Sequence, residues 1–252
     1  MKISVIFNLA LNDLKSRYAG SFLGSLWAFI GTFMTICIYW FVYTFALKGG
    51  EVEGLPYIVW LLTGIIPWFF FAEVFTGTAS CFGDYSFLVK KIRFKGEYLP
   101  LIRVISAFLI HIVFLSLVYI INLISGIVPE IGQLWIFTWI LGGFLFNLGL
   151  GTVIALCCVR VRDMKYASGV IVQLGFWLTP VFWNYSSLPP KIMWITSFNP
   201  VAILVKGYRN ALLFGEGIGL SEFIFFWGIV VFLNIAGIVL MKKLRPTIAD
   251  YL

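Results

Sequence analysis

Two side chains stand out because they are ionisable and lie within long apolar runs: Glu73 and His111. A charge at bilayer depth costs a few kcal/mol, so an intramembrane carboxylate is a functional candidate by default. For Glu73 two chemistries are open. It is either a structural hydrogen-bonding group, toward a neighbouring helix or the amphipathic N-terminus, or part of a proton relay. A relay needs further carboxylates or histidines at similar depth, and these are missing. His111 is the single histidine, with no second histidine, cysteine or carboxylate at ligand spacing, so a metal is not expected. Cys37, Cys81, Cys157 and Cys158 match neither a zinc ribbon nor a disulfide framework. The sequence has no G-x-x-x-x-G-K-[ST], no G-x-S-x-G and no H-E-x-x-H. It also lacks paired carboxylates in one segment. Neither catalysis nor a cofactor bound by this chain is expected.

The stretch Asp84 to Arg103, DYSFLVKKIRFKGEYLPLIR, carries Lys90, Lys91, Arg93, Lys95 and Arg103 between two apolar runs. So many charges belong in water or at headgroups, and basic loops stay on the cytoplasmic side. Ser86 to Phe94 reads as a short amphipathic helix with Phe87, Val89 and Ile92 apolar and Lys90, Lys91 and Arg93 basic. Two readings stand: a docking element for a cytoplasmic partner, or an ordinary basic loop on anionic headgroups. Aromatic residues make up 19% of the chain. Many lie at the ends of the apolar runs, where Trp and Tyr belong. Others lie deeper, among them Tyr39, Tyr43 and Phe176. Their flat faces could line a path along which a sugar chain slides, or could equally serve lipid contact and helix packing.

The elements that hold these residues follow from composition and periodicity. Of 252 residues, 61% are hydrophobic and 12% charged, which indicates an integral membrane protein. Residues 2–18 read as an amphipathic interface helix. Ile3, Phe7, Ala10, Leu11, Leu14 and Tyr18 form its apolar face. Gly20 and Gly24 allow a turn into the bilayer. Asn8, Asn12, Asp13, Lys15 and Arg17 argue against a cleavable signal there. Six apolar segments follow, at 23–47, 56–79, 104–128, 133–159, 166–184 and 223–241. Each is long enough to cross ~30 Å of hydrocarbon. The expected fold is all-α: six transmembrane helices in one domain over 1–252. Segment 185–222 adds two short outer helices before the last span. Pro189 and Pro190 could open the first; Asn199 caps the second, Pro200 starts it, and Gly215 and Gly217 end it. Fourteen of the 18 Lys and Arg fall in the set 1–22, 80–103, 160–165 and 242–252, placing those loops and both termini in the cytoplasm. The net charge of +7 reflects this bias and not nucleic acid.

Four stretches in order resemble type-2 ABC exporter permeases. They are RYAGSFLGSLWAFIGT, GIIPWFFFAEVFTGTAS at 64–80, VRDMKYASGVIVQLGFWLTPVFW at 161–183 and FNPVAILVKGYRNALLFGE at 198–216. The nearest resemblance is to the polysaccharide branch, the O-antigen (Wzm-type) and teichoic-acid permeases. It implies a homodimer in the inner membrane with two cytoplasmic ATPase subunits, which bind ATP-Mg, and a lipid-linked polysaccharide as cargo. Loop 84–97 is then the coupling element, through Phe87, Val89, Lys90, Lys91, Ile92 and Arg93. The resemblance places Tyr39, Tyr43 and Phe176 along the channel, and Trp194, Phe198 and Tyr208 at an outer gate.

The alternatives are an exporter of a small amphiphile or drug, a membrane-embedded lipid-modifying enzyme, and a secondary carrier. The enzyme requires clustered acids or histidines at the interface. The carrier requires paired acids on broken spans. Both sets are absent. The basic bias predicts that cysteines introduced at Lys91 and at Lys191 react with a membrane-impermeant maleimide from opposite sides. Reaction from one side only rejects the topology.

Overall fold

The computed structural model describes residues 3–46, 49–87, 96–161, 163–185, 189, 191 and 196–248. Among the described residues, eight helices carry the architecture. They are α1 (Ile3–Ser16), α2 (Leu26–Phe41, continued as a π-turn Val42–Ala46) and α3 (Tyr57–Asp84). Then come α4 (Leu99–Ile124), α5 (Trp135–Arg160) and α6 (Met164–Leu178). Last are α7 (Pro200–Arg209, continued as a π-turn Asn210–Phe214) and α8 (Leu220–Leu244). Among the described residues there is no β-strand, only one isolated antiparallel bridge, Val52–Leu55. Its two-residue turn is Glu53-Gly54, both at positive φ (54° and 76°).

Five helical stretches are long and apolar enough to cross a membrane: Leu26–Ala46, Tyr57–Asp84, Gly96–Ile124, Ile131–Arg160 and Leu220–Leu244. The segment expected to span at 166–184 is different. Its helix has 15 residues and stops at Leu178, giving about 22 Å of rise. Pro180 is the cause: a residue before proline avoids the helical region, and Thr179 is extended (φ −103°, ψ 135°).

The hub of the fold is α3. It is largely apolar, and most of its residues from Tyr57 to Phe82 are buried. Helices α4, α5, α6 and α7 pack around it. The main core joins Trp60, Ile65 and Trp68 of α3 to Trp139 and Phe146 of α5, Tyr208 of α7 and Phe226 of α8. A second core lies at the opposite end of α3, where Cys81 and Phe82 meet Leu99, Ile102, Leu156 and Met241. There α1 docks with Ile6 and Ala10. The face that α1 buries is thus Ile6, Ala10 and Asp13, whereas Ile3 and Phe7 are exposed. The turn out of α1 uses Gly20 (φ 85°) and Gly24 (φ 53°), as expected.

Helix α2 buries only Ala28 and Ile36 and leaves Phe33, Trp40, Phe41 and Phe45 exposed. Helix α6 also exposes an apolar stripe, including Val170, Leu174 and Trp177. In contrast, α5 and α8 are in close contact. A Cβ on Gly149 would lie 2.8 Å from the backbone nitrogen of Asn234. The Asn234 amide crosses this contact and donates to the Leu145 carbonyl (3.0 Å). Small residues give such backbone approach in membrane bundles. Gly149→Ala should therefore lower stability by about 1–3 kcal/mol, the usual cost of overpacking. Gly228→Ala, on α8 with open space around it, should be neutral or slightly stabilising. Thermal melts of the two variants in one detergent check this.

Candidate functional site

Toward the Asp84 end of α3, charged residues from α1, the turn after it, α3 and α4 meet. Asp13 of α1 is 1% exposed, and a carboxylate so placed must be paired. Its Oδ2 accepts from Arg17 Nη2 (2.7 Å). Its Oδ1 pairs with Arg103 Nη1 of α4 (3.2 Å) and accepts from the Tyr85 hydroxyl (2.6 Å). Arg103, 5% exposed, also pairs with Asp84 at the end of α3. Arg17 reaches in the other direction and pairs with Glu73. Ser80 donates to Asp84 (2.7 Å). The set is a continuous ladder: Glu73, Arg17, Asp13, Arg103, Asp84.

The titration of the groups outside the spans fits these contacts. Burial pulls the Arg17 guanidinium down, but the charges of Glu73 and Asp13 outweigh it and its pKa is raised. Burial, and then the bond to Asp13, push the Tyr85 phenol up to about 12. It therefore stays a donor at physiological pH. Of the two roles open for Glu73, this geometry fits the tie to the N-terminal helix. Glu73 also opens onto a cavity of about 220 Å³ lined by Tyr18, Thr32, Thr76 and His111. Helix α3 runs to Asp84, so Glu73 lies 11 residues, about 16 Å, from its C-terminal end.

A second constellation lies toward the Tyr57 end of α3. The Tyr39 ring is 5.2 Å from Phe176 and 6.2 Å from Phe182, and Phe176 stacks on Phe182 at 5.4 Å. Trp68 and Trp177 close the cluster edge-on. Phe176 is buried within the chain, and its neighbour Trp177 is exposed. Tyr43 does not join them; it stacks on Tyr57 at 3.4 Å. Tyr43 itself lies within the π-turn Val42–Ala46. Buried Arg209 of α7 stands behind the cluster. It donates to the carbonyls of Pro180 (3.2 Å) and Val181 (3.1 Å) and lies 3.5 Å over the Trp60 ring.

Helix α7 forms as its sequence predicts. Asn199 caps it, accepting from Val201 N (3.0 Å), Pro200 opens it, and the π-turn ends at Gly215 in the left-handed region (φ 64°). Of the residues expected at the gate, Phe198 is exposed and meets Phe225 edge-on. Tyr208 points inward, 1% exposed, with its hydroxyl 3.0 Å from His111 Nε2. Packing decides this, because Gly143 and Leu204 shape a slot for the ring inside the bundle. Trp194 and a helix opened by Pro189 and Pro190 fall outside the described residues, as do Val89, Lys90, Lys91, Ile92 and Arg93. Phe87 is exposed, 57%.

A family model described as ABC-2 type transporter matches residues 5–213. The chain belongs to the ABC-2 type transporter family. Among its relatives, an O-antigen export system permease protein RfbA of Klebsiella pneumoniae is 28% identical over 244 residues, covering 95% of this chain and 92% of that protein. One of the same name from Myxococcus xanthus is 26% identical over 207 residues, covering 81% and 78%. A polysialic acid transport protein KpsM of Escherichia coli is 20% identical over 233 residues, 90% of each chain. The ABC-2 chain is thus a multi-pass membrane protein similar to transport permeases.

Sequence reading missed Asp13, Arg17, Arg103 and Arg209 as site residues. The available signal was charge on helices otherwise apolar. Removing one partner of a buried ion pair costs about 3–5 kcal/mol, whereas an exposed pair is worth about 0–1. Arg103→Ala should therefore strongly reduce folded ABC-2 chain in membranes. Lys206→Ala, which breaks an exposed pair with Glu222, should change little. Comparing the amounts of monodisperse extracted protein tests this.

Proposed function

We propose that this chain is the membrane-spanning permease subunit of an ATP-driven exporter of a lipid-linked polysaccharide, O-antigen-like, across the cytoplasmic membrane. The observation that carries this is near-full-length similarity to permeases named for O-antigen export, within a matched ABC-2 family. Two copies form the channel, and two cytoplasmic ATPase subunits, holding ATP-Mg, drive it. The permease itself performs no chemistry.

Several features support the arrangement. Helices α2 and α6 are the least covered and carry exposed aromatic stripes, which suits a second copy across a central path. The aromatic cluster around Tyr39 and Phe176 borders that path, with Trp177 facing it. Weak, repeated aromatic contacts let a polymer advance, since conduction requires binding loose enough to leave. Helix α6 and the turn after it make the sixth crossing, so both termini lie in the cytoplasm. The amphipathic α1 lies in the interface, with its exposed Ile3 and Phe7 toward lipid. Loop 84–97 docks on the ATPase through Phe87, Val89 and Ile92, with Lys90, Lys91 and Arg93 around them. The outer helices, with Trp194 and Phe198, close the exit.

Deleting the gene should remove surface polysaccharide and leave lipid-linked polymer inside the cell, and a copy of the gene should restore export. Unchanged surface polymer, with loss of a small amphiphile's efflux instead, overturns the polysaccharide reading. In the complemented strain, Phe87→Ala should weaken capture of the ATPase more than Lys90→Ala does, because buried apolar anchors dominate such contacts. The reverse order identifies loop 84–97 as a headgroup-binding loop.

A further inference from the structure

The buried guanidinium of Arg209 has a role that packing alone does not explain. Arg209 is 7% exposed, and among the described residues no carboxylate lies within 4.0 Å of it. A buried cation without an acid is costly, and an apolar side chain of similar size would fill the space at less cost. What an apolar side chain cannot do is donate. Helix α6 ends at Leu178, and Thr179, Pro180 and Val181 are all buried. A helix end leaves carbonyls without partners. At bilayer depth non-helical backbone survives only where protein groups satisfy it.

Side chains from three directions meet this turn. Arg209 Nη1 and Nη2 donate to the Pro180 and Val181 carbonyls. The Tyr57 hydroxyl of α3 donates to the Phe182 carbonyl (3.0 Å). The Asn199 amide, at the start of α7, donates to the Thr179 hydroxyl (3.0 Å). Successive carbonyls suit the rigid fork of a guanidinium and not the single point of an ammonium. The space is fitted to it: a Cβ on Gly64 would stand 2.3 Å from Nη2 and 2.9 Å from the Val181 oxygen. The next residue, Phe182, stacks on Phe176 and Tyr39.

We infer that Arg209 is a positioning residue for transport, locking outer helix α7 to the turn that carries Phe182, so that α7 and the aromatic cluster move as one body. The inference rests on the export reading above, in which that cluster borders the path. A shift of α7 then reaches the path through the Arg209 fork without any change in the long helices.

The test uses the full chain in cells with its ATPase partner, comparing Arg209→Met, Arg209→Lys and Tyr57→Phe with the unaltered chain. Three quantities are measured: inserted protein, polysaccharide exported per inserted molecule, and the rate at which a Phe182→Cys probe reacts with a membrane-impermeant maleimide. Arg209→Met should export several-fold less per inserted molecule and label several-fold faster. Arg209→Lys should fall between, because one ammonium cannot serve both carbonyls. Tyr57→Phe, which frees the Phe182 carbonyl and keeps the guanidinium, should shift both readouts in the same direction, and it carries the test if Arg209→Met fails to insert. Inserted variants that export and label like the unaltered chain overturn the inference and leave Arg209 a packing residue. Faster labelling in a chain whose unaltered form exports no polysaccharide supports the tie and rejects the export reading, so the two failures are distinct.

Discussion

A buried charge in an apolar bundle must find a partner, and the pairing of Asp13 with Arg103 meets that constraint. Asp13 is almost wholly enclosed, and so is Arg103. Neither can exchange its partner for water, so their elements are held together: α1, the end of α3 and the beginning of α4. The same pair sets the base of the loop between α3 and α4, because Asp84 and Tyr85 on one side and Arg103 on the other all converge on Asp13 or its partner. Helix α1 and that loop then share one anchor, and Arg17 carries it on to Glu73. The value of such a network lies in specificity more than in stability, since buried ion pairs roughly break even against apolar packing.

The opposite end of α3 solves a related problem with different chemistry. There the groups needing satisfaction are carbonyls at a helix break, not carboxylates, and Arg209 with Tyr57 supplies the donors. Helix α3 thus connects two arginine-built junctions, one made of ion pairs and one of hydrogen bonds to carbonyls. Between them it is packed with aromatic and aliphatic side chains over most of its surface, with Phe69, Glu73 and Thr76 on a partly covered face. Rearrangements are therefore easiest at its neighbours α2 and α6, which have little cover.

The aromatic content is divided by this frame. Some rings, including Trp60, Trp139, Tyr208 and Phe226, are structural and fully enclosed. Others, including Trp40, Phe45 and Trp177, remain at the surface of the single chain. The enclosed set fixes the bundle, and the surface set is left partly uncovered by the rest of the chain. Phe176 and Tyr39 lie at the boundary between the two, which is why the turn behind them matters.

The sequence by itself determined the membrane class, five of the six apolar segments as helices long enough to span, and the local signals of α7. Asn199, Pro200, Gly215, Gly20 and Gly24 act through backbone geometry within a few residues, so their effects are readable without a fold. The ordered motifs also led to the family. Only the tertiary structure decided that Asp13 pairs with Arg103, that Tyr208 points to His111, that Phe176 is covered, and that α6 ends early with Arg209 behind it. The physical reason is that lipid and protein interior are equally apolar. Hydropathy therefore marks which residues leave water, but not which of them face a neighbouring helix, and partners such as Asp13 and Arg103, 90 residues apart in the chain, leave no periodicity to find.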